Sequence, residues 1–90
     1  MGGPGGDARP VVTILERPGC HLCDEALAEL EAMRAGGAAF EIERVDIEGD
    51  DELMRRHLER IPVIAFGGEV VSELWLDRAA LEARLATVPQ

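Results

Sequence analysis

The sequence predicts an α/β fold in which a mixed four-stranded sheet packs against three helices in the order βαβαββα. The 90 residues suffice for one modest core and are too few for two. Apolar residues make up 47% of the chain against 30% charged, a balance that favours folding over disorder. The periodicity predicts that the chain begins with a strand, a helix and a second strand, an order that makes the two strands parallel. It also predicts a hairpin near the end of the chain, whose two strands are antiparallel. The sheet is therefore predicted to be mixed.

The first strand and first helix are predicted from a change of periodicity at Cys20. The β-branched run Val11–Leu15 leads to Pro18 and Gly19, as in a buried strand that enters a turn. After Cys20, apolar residues recur at spacings of three and four: Cys23, Ala26, Leu27, Leu30 and Met33. Gly36-Gly37 ends this amphipathic helix.

A second strand, a short helix, a hairpin and a last helix follow. Four apolar residues alternate roughly with acidic ones in the second strand: Phe40, Ile42, Val45 and Ile47. Asp50 caps the short helix, whose apolar face is predicted to hold Leu53, Met54 and Leu58. The hairpin strands are Ile61–Phe66 and Glu69–Glu73, joined by Gly67-Gly68. In the last helix, Asp77 is the predicted cap, Leu81 and Leu85 are the apolar residues, and Pro89 ends the helix.

Composition limits the partners and the compartment. The net charge is −9 and the nine basic residues are all arginine, so the chain would repel nucleic acids and anionic membranes. Residues 1–9 form a Gly/Pro-rich segment predicted to be a flexible tail, and residues 10–90 form the single domain. Because that tail lacks the basic start and apolar run of a signal peptide, we expect a cytoplasmic protein. We also expect a monomer.

The two cysteines lie where the first strand meets the first helix. In a reducing compartment, such closely spaced cysteines are more often catalytic or metal-binding than structural. Residues three apart on a helix have Cβ atoms about 5–6 Å apart, within reach of a disulfide. At the helix start, Cys20 meets unpaired N–H groups and the positive helix end, which favour its thiolate. Cys20 is therefore the predicted nucleophile, and Cys23, one turn further on the apolar face, the predicted resolving thiol.

Neighbouring charges act on the Cys20 thiol in both directions. A basic side chain at Arg17, and a protonated His21, would lower its pKa. The acidic neighbours Glu16, Asp24 and Glu25 would raise it. We expect a moderate net depression of the thiol pKa below its free value of about 8.5.

The segment Pro18–Ala26 after a strand, together with Ile61-Pro62-Val63 before a hairpin, resembles the glutaredoxin family, especially its small bacterial glutaredoxin-like members. The resemblance covers Val11 to Leu85 and implies a thioredoxin-like fold. It implies a thiol–disulfide oxidoreductase that acts on disulfide-containing client proteins and is re-reduced by glutathione or a thioredoxin reductase. It also implies a cis-proline at Pro62 beside the cysteine pair, and substrate-binding residues at Arg17, Pro62 and Val63.

One departure from the family concerns glutathione. Glutaredoxins hold it partly with a glycine pair followed by a small polar residue and Asp at the start of the last helix. This chain has Ser72–Leu76 before Asp77, so side chains occupy a stretch where close backbone approach would be needed. Glu73 adds a negative charge where a carboxylate would dock. We therefore expect no tightly bound cofactor, with glutathione at most a weak co-substrate.

Other interpretations stay open at this point. A metal-binding module of the copper-chaperone kind carries the same cysteine spacing, but it requires a βαββαβ order that ends on a strand. Structural zinc usually takes four ligands, and beyond the cysteines the chain offers only His21 and His57 as soft ligands, so no metal is expected. His57 is interpreted as a half-buried helix residue. Trp75 is expected to pack between the last strand and last helix, the alternative being a stacking surface near the sulfurs.

Overall fold

The computed structural model describes residues 9–87, so the predicted tail, apart from Arg9, and the predicted stop at Pro89 lie outside the described residues. In chain order the elements are β1 (Val11–Glu16), α1 (His21–Ala35), β2 (Glu41–Asp46), α2 (Asp51–His57), β3 (Val63–Phe66), β4 (Glu69–Glu73) and α3 (Arg78–Ala86). The predicted order βαβαββα is confirmed. Among the described residues, a helix lies between the second and third strands and the last element is a helix, which contradicts the order that the copper-chaperone hypothesis requires.

The four strands form one mixed sheet in the order β2-β1-β3-β4. Strand β1 is parallel to β2 and antiparallel to β3, and β4 is antiparallel to β3. The β3–β4 hairpin closes through Gly67 and Gly68, whose φ angles of 62° and 81° are both positive. A two-residue hairpin loop with two positive φ angles favours glycine at both positions, which is why the sequence signal was specific.

The core has two parts. The larger cluster lies between one face of the sheet and helices α1 and α3, and its buried members are Val12, Ile14, Ala26, Leu30, Met33, Phe40, Ile64, Leu76 and Leu81. The smaller cluster contains Cys23, Ile47, Ile61 and Val63, with Leu53 and Met54 of α2 packed against it. The smaller cluster fixes the resolving cysteine of the predicted pair within the core.

Several sequence expectations differ from the structure. Phe40, predicted in the second strand, precedes β2, and the strand predicted over Ile61–Phe66 begins at Val63. Ile47 was predicted in the second strand, but it lies in a single 3₁₀ turn after β2, where its side chain is still buried.

Leu58 was predicted on the buried face of α2, but it follows the helix end and its exposed fraction is 39%. Leu58 is the C-cap residue of α2. It keeps helical backbone angles (φ −51°, ψ −40°) and its N–H donates to the carbonyl of Met54, so the helical spacing reaches it, but its side chain is left exposed at the helix end.

Candidate redox site

Cys20 is the N-cap residue of α1. Its backbone is extended (φ −88°, ψ 106°), and its Sγ accepts a hydrogen bond of 3.1 Å from the backbone N–H of Cys23. Gly19, with a φ of 80°, makes the tight turn from β1 into the helix. The cap position therefore places a sulfur among the unpaired N–H groups of the first helical turn, where a thiolate is stabilised.

Cys20 and Cys23 are joined by a disulfide, with their Cα atoms 5.2 Å apart. Their environments are unequal. Cys20 is half-buried, whereas Cys23 is completely buried in the smaller core cluster. A partner sulfur can therefore approach Cys20 from solvent, while Cys23 is shielded.

The segment that begins β3 lies against the cysteine pair. The Ile61–Pro62 peptide bond is cis, the isomer that the resemblance implied, and the Pro62 side chain is fully buried. Its neighbours Ile61 and Val63 belong to the cluster that holds Cys23 and against which Cys20 packs. The structure thus brings two of the predicted substrate-binding residues, Pro62 and Val63, into the same region as the sulfurs.

Arg17 lies in the turn before Cys20, but its charge is already engaged. Its guanidinium Nη2 is 2.9 Å from a carboxylate oxygen of Glu48, which follows β2 in the 3₁₀ turn. Both side chains are partly exposed, so a ligand carboxylate would have to compete with Glu48 for this guanidinium. The predicted role of Arg17 in substrate binding therefore stays a prediction.

A buried carboxylate near the site was not expected from the sequence. Glu16, the last residue of β1, is buried, and its Oε2 accepts a hydrogen bond of 2.6 Å from Nε of Arg44 on β2. The hydrogen bond and charge of Glu16 raise the pKa of the Arg44 guanidinium above its ordinary value. The available signal was the alternation in β1, which places Glu16 on the same sheet face as Val12 and Ile14. With Asp24 and Asp46, this pair lines a cleft of about 300 Å³ beside Pro18 and Gly19.

The turn between β4 and α3 forms a further wall. Leu74 has a φ of 73°, in the left-handed region that favours glycine. Its N–H donates to the carbonyls of Pro62 (2.9 Å) and Arg60 (3.1 Å), which ties the turn to the segment beside the sulfurs. Counting back from Asp77, Leu74 and Trp75 occupy the two positions of the glycine pair expected in glutaredoxins. Trp75 has an exposed fraction of 65%, so the expectation that it packs between β4 and α3 is wrong.

His57 is half-buried at the end of α2, as interpreted from the sequence, and its Nδ1 is buried without a hydrogen-bond partner. The described part of the chain has no helix long and apolar enough to cross a membrane. Between Arg9 and Thr87, no group of three or more His, Cys, Asp or Glu side chains is arranged to hold a metal ion.

Comparisons with known proteins follow this geometry. The family model described as "Glutaredoxin-like domain (DUF836)" matches residues 11–86. Comparison with curated protein sequences gave no significant match.

Three solved structures are similar to this chain in fold. The solution structure of protein Ne2328 from Nitrosomonas europaea is similar with a TM-score of 0.76 and 28% identity, over 84% of this chain and 91% of that one. The crystal structure of protein XcR50 from X. campestris is similar with a TM-score of 0.66 and 32% identity, over 87% and 99% of the two chains. The germline-specific thioredoxin Deadhead from Drosophila melanogaster, 17% identical over 92% of this chain and 84% of its own, has a TM-score of 0.56. This last likeness shows the thioredoxin-like fold alone.

Proposed function

This chain belongs to the glutaredoxin-like domain family, and on that premise we propose that it reduces disulfides of client proteins through Cys20 and Cys23. The observation that carries the proposal is the unequal exposure of two sulfurs that lie at disulfide distance. One sulfur is accessible and sits at a helix N-terminus, and the other is shielded directly behind it. That arrangement suits a nucleophile and a resolving thiol.

The reaction begins from the dithiol form. The Cys20 thiolate attacks one sulfur of the client disulfide, the client S–S bond breaks, and a mixed disulfide forms between Cys20 and the client. The second client sulfur leaves as a thiolate and takes up a proton from solvent. The first-turn N–H groups of α1 stabilise the Cys20 thiolate before the attack.

The resolving step releases the client. Sγ of Cys23 attacks Sγ of Cys20, which breaks the mixed disulfide, and the departing client sulfur takes up the proton that Cys23 gives up. Two electrons have then passed to the client, and the protein is left with the Cys20–Cys23 disulfide seen in the structure. A reductant of the thiol or reductase class returns it to the dithiol, and we place this cycle in the cytoplasm, where dithiols are kept reduced.

We further propose that glutathione is a weak co-substrate. The Leu74 and Trp75 side chains stand where a glycine pair would let the tripeptide approach the backbone. Glu73 places a carboxylate at the same turn, and Arg60 lies 3.6 Å from it. Arg17 is similarly paired with Glu48, so both nearby guanidinium groups already face carboxylates.

The test is one disulfide substrate, insulin, reduced under two electron supplies: glutathione with glutathione reductase and NADPH, and thioredoxin reductase with NADPH. In a third sample, the pre-reduced protein is present in an amount equal to the insulin disulfides, so it reduces them without either electron supply. We expect the pre-reduced protein to reduce insulin and the Cys20→Ser variant to be inactive. Turnover with glutathione should be about fivefold or more below that of an ordinary glutaredoxin, since one unfavourable charge contact is worth on the order of 1 kcal/mol.

Two outcomes would contradict these statements separately. If pre-reduced protein leaves insulin disulfides intact, the proposal of an oxidoreductase fails. If turnover with glutathione equals that of the reference glutaredoxin, the oxidoreductase stands and the argument from Leu74, Trp75 and Glu73 fails.

A further inference from the structure

Two apolar side chains project from the turn between β4 and α3. The exposed fraction is 65% for Trp75 and 39% for Leu74, whereas the next residue, Leu76, is buried in the larger core cluster. We call Leu74 and Trp75 the turn surface. Exposing a tryptophan forgoes the large burial free energy that this side chain usually supplies, so the exposure of Trp75 requires an explanation.

The backbone of the turn surface is held in place. Leu74 adopts its positive φ while its N–H binds the carbonyls of Pro62 and Arg60. On the far side, the Ser72 Oγ accepts a hydrogen bond of 3.3 Å from the N–H of Asp77, which caps α3. A bulky residue kept in a sparsely populated backbone region, fixed at both ends, is typical of a functional segment.

The turn surface and the reactive sulfur share one intervening segment. Ile61 and Val63, on either side of Pro62, pack in the cluster against which Cys20 lies. The Pro62 carbonyl binds Leu74. A polypeptide whose sulfur reaches Cys20 would therefore lie close to the turn surface.

The charges around this region are predominantly acidic. The two nearby guanidinium groups, of Arg17 and Arg60, are each paired with a carboxylate. Asp24, in the first turn of α1, and Asp77, at the start of α3, are exposed as well. Glu25 lies 2.9 Å from His21, and Arg78, which follows Asp77, lies 3.9 Å from Glu82. With a net charge of −9, the chain complements a basic partner and repels an anionic one such as glutathione.

From these observations we propose that Leu74 and Trp75 are the docking surface for a protein client that carries an apolar side chain beside its disulfide in a positively charged segment. The inference rests on the proposed function and names its substrate class. The client's apolar residue covers the indole of Trp75, its basic residues face the acidic rim, and its disulfide reaches Cys20. The electron and proton balance is that of the exchange described above.

Binding can be tested without chemistry, because Trp75 is the only tryptophan and the chain has no tyrosine. Two short peptides serve as probes, and in each of them serine replaces both cysteines so that no disulfide exchange can occur. In one peptide the neighbours of these two positions are leucine and lysine, and in the other they are serine and glutamate. We expect the leucine–lysine peptide to shift the tryptophan emission of the wild-type protein to the blue and the serine–glutamate peptide to leave it unchanged. An equal response to both peptides, or none to either, would overturn the proposal.

Exchange is then measured in a single turnover of pre-reduced protein with the disulfide forms of the same peptides. Trp75→Ser should lower the second-order rate constant for the leucine–lysine peptide about tenfold, the usual scale for one buried aromatic contact. The rate constant for the serine–glutamate peptide should change much less, because that peptide has no apolar side chain to cover the indole. Val70→Ser is the matched control, because Val70 is also exposed (52%) but lies in β4 opposite Ala65, next to the Gly67-Gly68 hairpin. The control should match the wild type.

The outcomes separate the two proposals. Fluorescence binding without any disulfide reduction would leave the docking surface standing and remove the oxidoreductase. Reduction of both peptides at equal rates, or an equal loss in Trp75→Ser and Val70→Ser, would remove the docking surface and leave the oxidoreductase.

Discussion

At the scale of single residues, the two cysteines differ in what surrounds their sulfurs. Cys20 accepts a backbone hydrogen bond at the start of α1 and is half-buried. Cys23 is enclosed by Ile47, Ile61 and Val63. The thiol of Cys20 is therefore open to a partner molecule, whereas the thiol of Cys23 can contact only Cys20.

This division predicts selective alkylation. After reduction and brief treatment with iodoacetamide at neutral pH, Cys20 should carry the label and Cys23 should not, because only Cys20 combines access with the positive helix end. Peptide mapping by mass spectrometry gives the site. Preferential labelling of Cys23 would reverse the assigned roles.

At the scale of elements, the turn between β4 and α3 departs most from local preference. Leu74 lies at a φ of 73°, where a side chain crowds the backbone and glycine does not. The hydrogen bonds from its N–H to Pro62 and Arg60 hold it there. The turn therefore contributes strain that neighbouring contacts must offset.

Substitution at this position measures that strain. The free energy of unfolding of Leu74→Gly, measured in urea, should exceed that of Leu74→Ala by about 1 kcal/mol, because only glycine is relaxed at positive φ. Leu74→Asn should fall between the two, since asparagine tolerates the left-handed region better than alanine. Both comparisons remove the same apolar side chain, so its loss cancels. An alanine variant as stable as the glycine variant would show that the turn relaxes freely.

At the scale of the whole molecule, we expect the net charge to affect which disulfide compounds approach the cysteine pair. The net charge of −9 produces a field that attracts cations and repels anions at low ionic strength. Salt screens this field over a Debye length that shortens from about 30 Å at 0.01 M to about 3 Å at 1 M.

Two small disulfides of opposite charge test this effect. The rate constant of the reduced protein with cationic cystamine should fall as sodium chloride is added, and that with anionic dithiodipropionate should rise. Only the sign of each salt dependence is compared, so the intrinsic reactivity of the two compounds does not matter. Equal salt dependences would show that the acidic surface does not act at Cys20.

Much of the fold could be predicted because its signals are local. The Gly67-Gly68 turn, the caps at Asp50 and Asp77, and the placement of Cys20 at a helix start each depend on residues within a few positions of one another. Backbone hydrogen bonds and φ preferences act over that range. These predictions are confirmed.

The rest depends on contacts between distant segments. The side chain of Glu16 is buried because Arg44, on the neighbouring strand, reaches it, and only the β1–β2 register reveals this pair. Trp75 was expected to pack between the last strand and the last helix, but Leu76 occupies the core position and leaves Trp75 outside. A short window of sequence shows which face of β1 Glu16 lies on but does not show its partner, and it does not show which of Trp75 and Leu76 is buried.

The central claim is that Cys20 attacks and Cys23 resolves, and trapping tests it most directly. Each single serine variant is reduced and then mixed with an equimolar disulfide peptide, and the products are weighed by intact-mass spectrometry under non-reducing conditions. Cys23→Ser should accumulate a one-to-one mixed disulfide through Cys20, because no resolving thiol remains, whereas Cys20→Ser should form none. Accumulation of the adduct on Cys20→Ser instead, or its absence from both variants, would contradict this account.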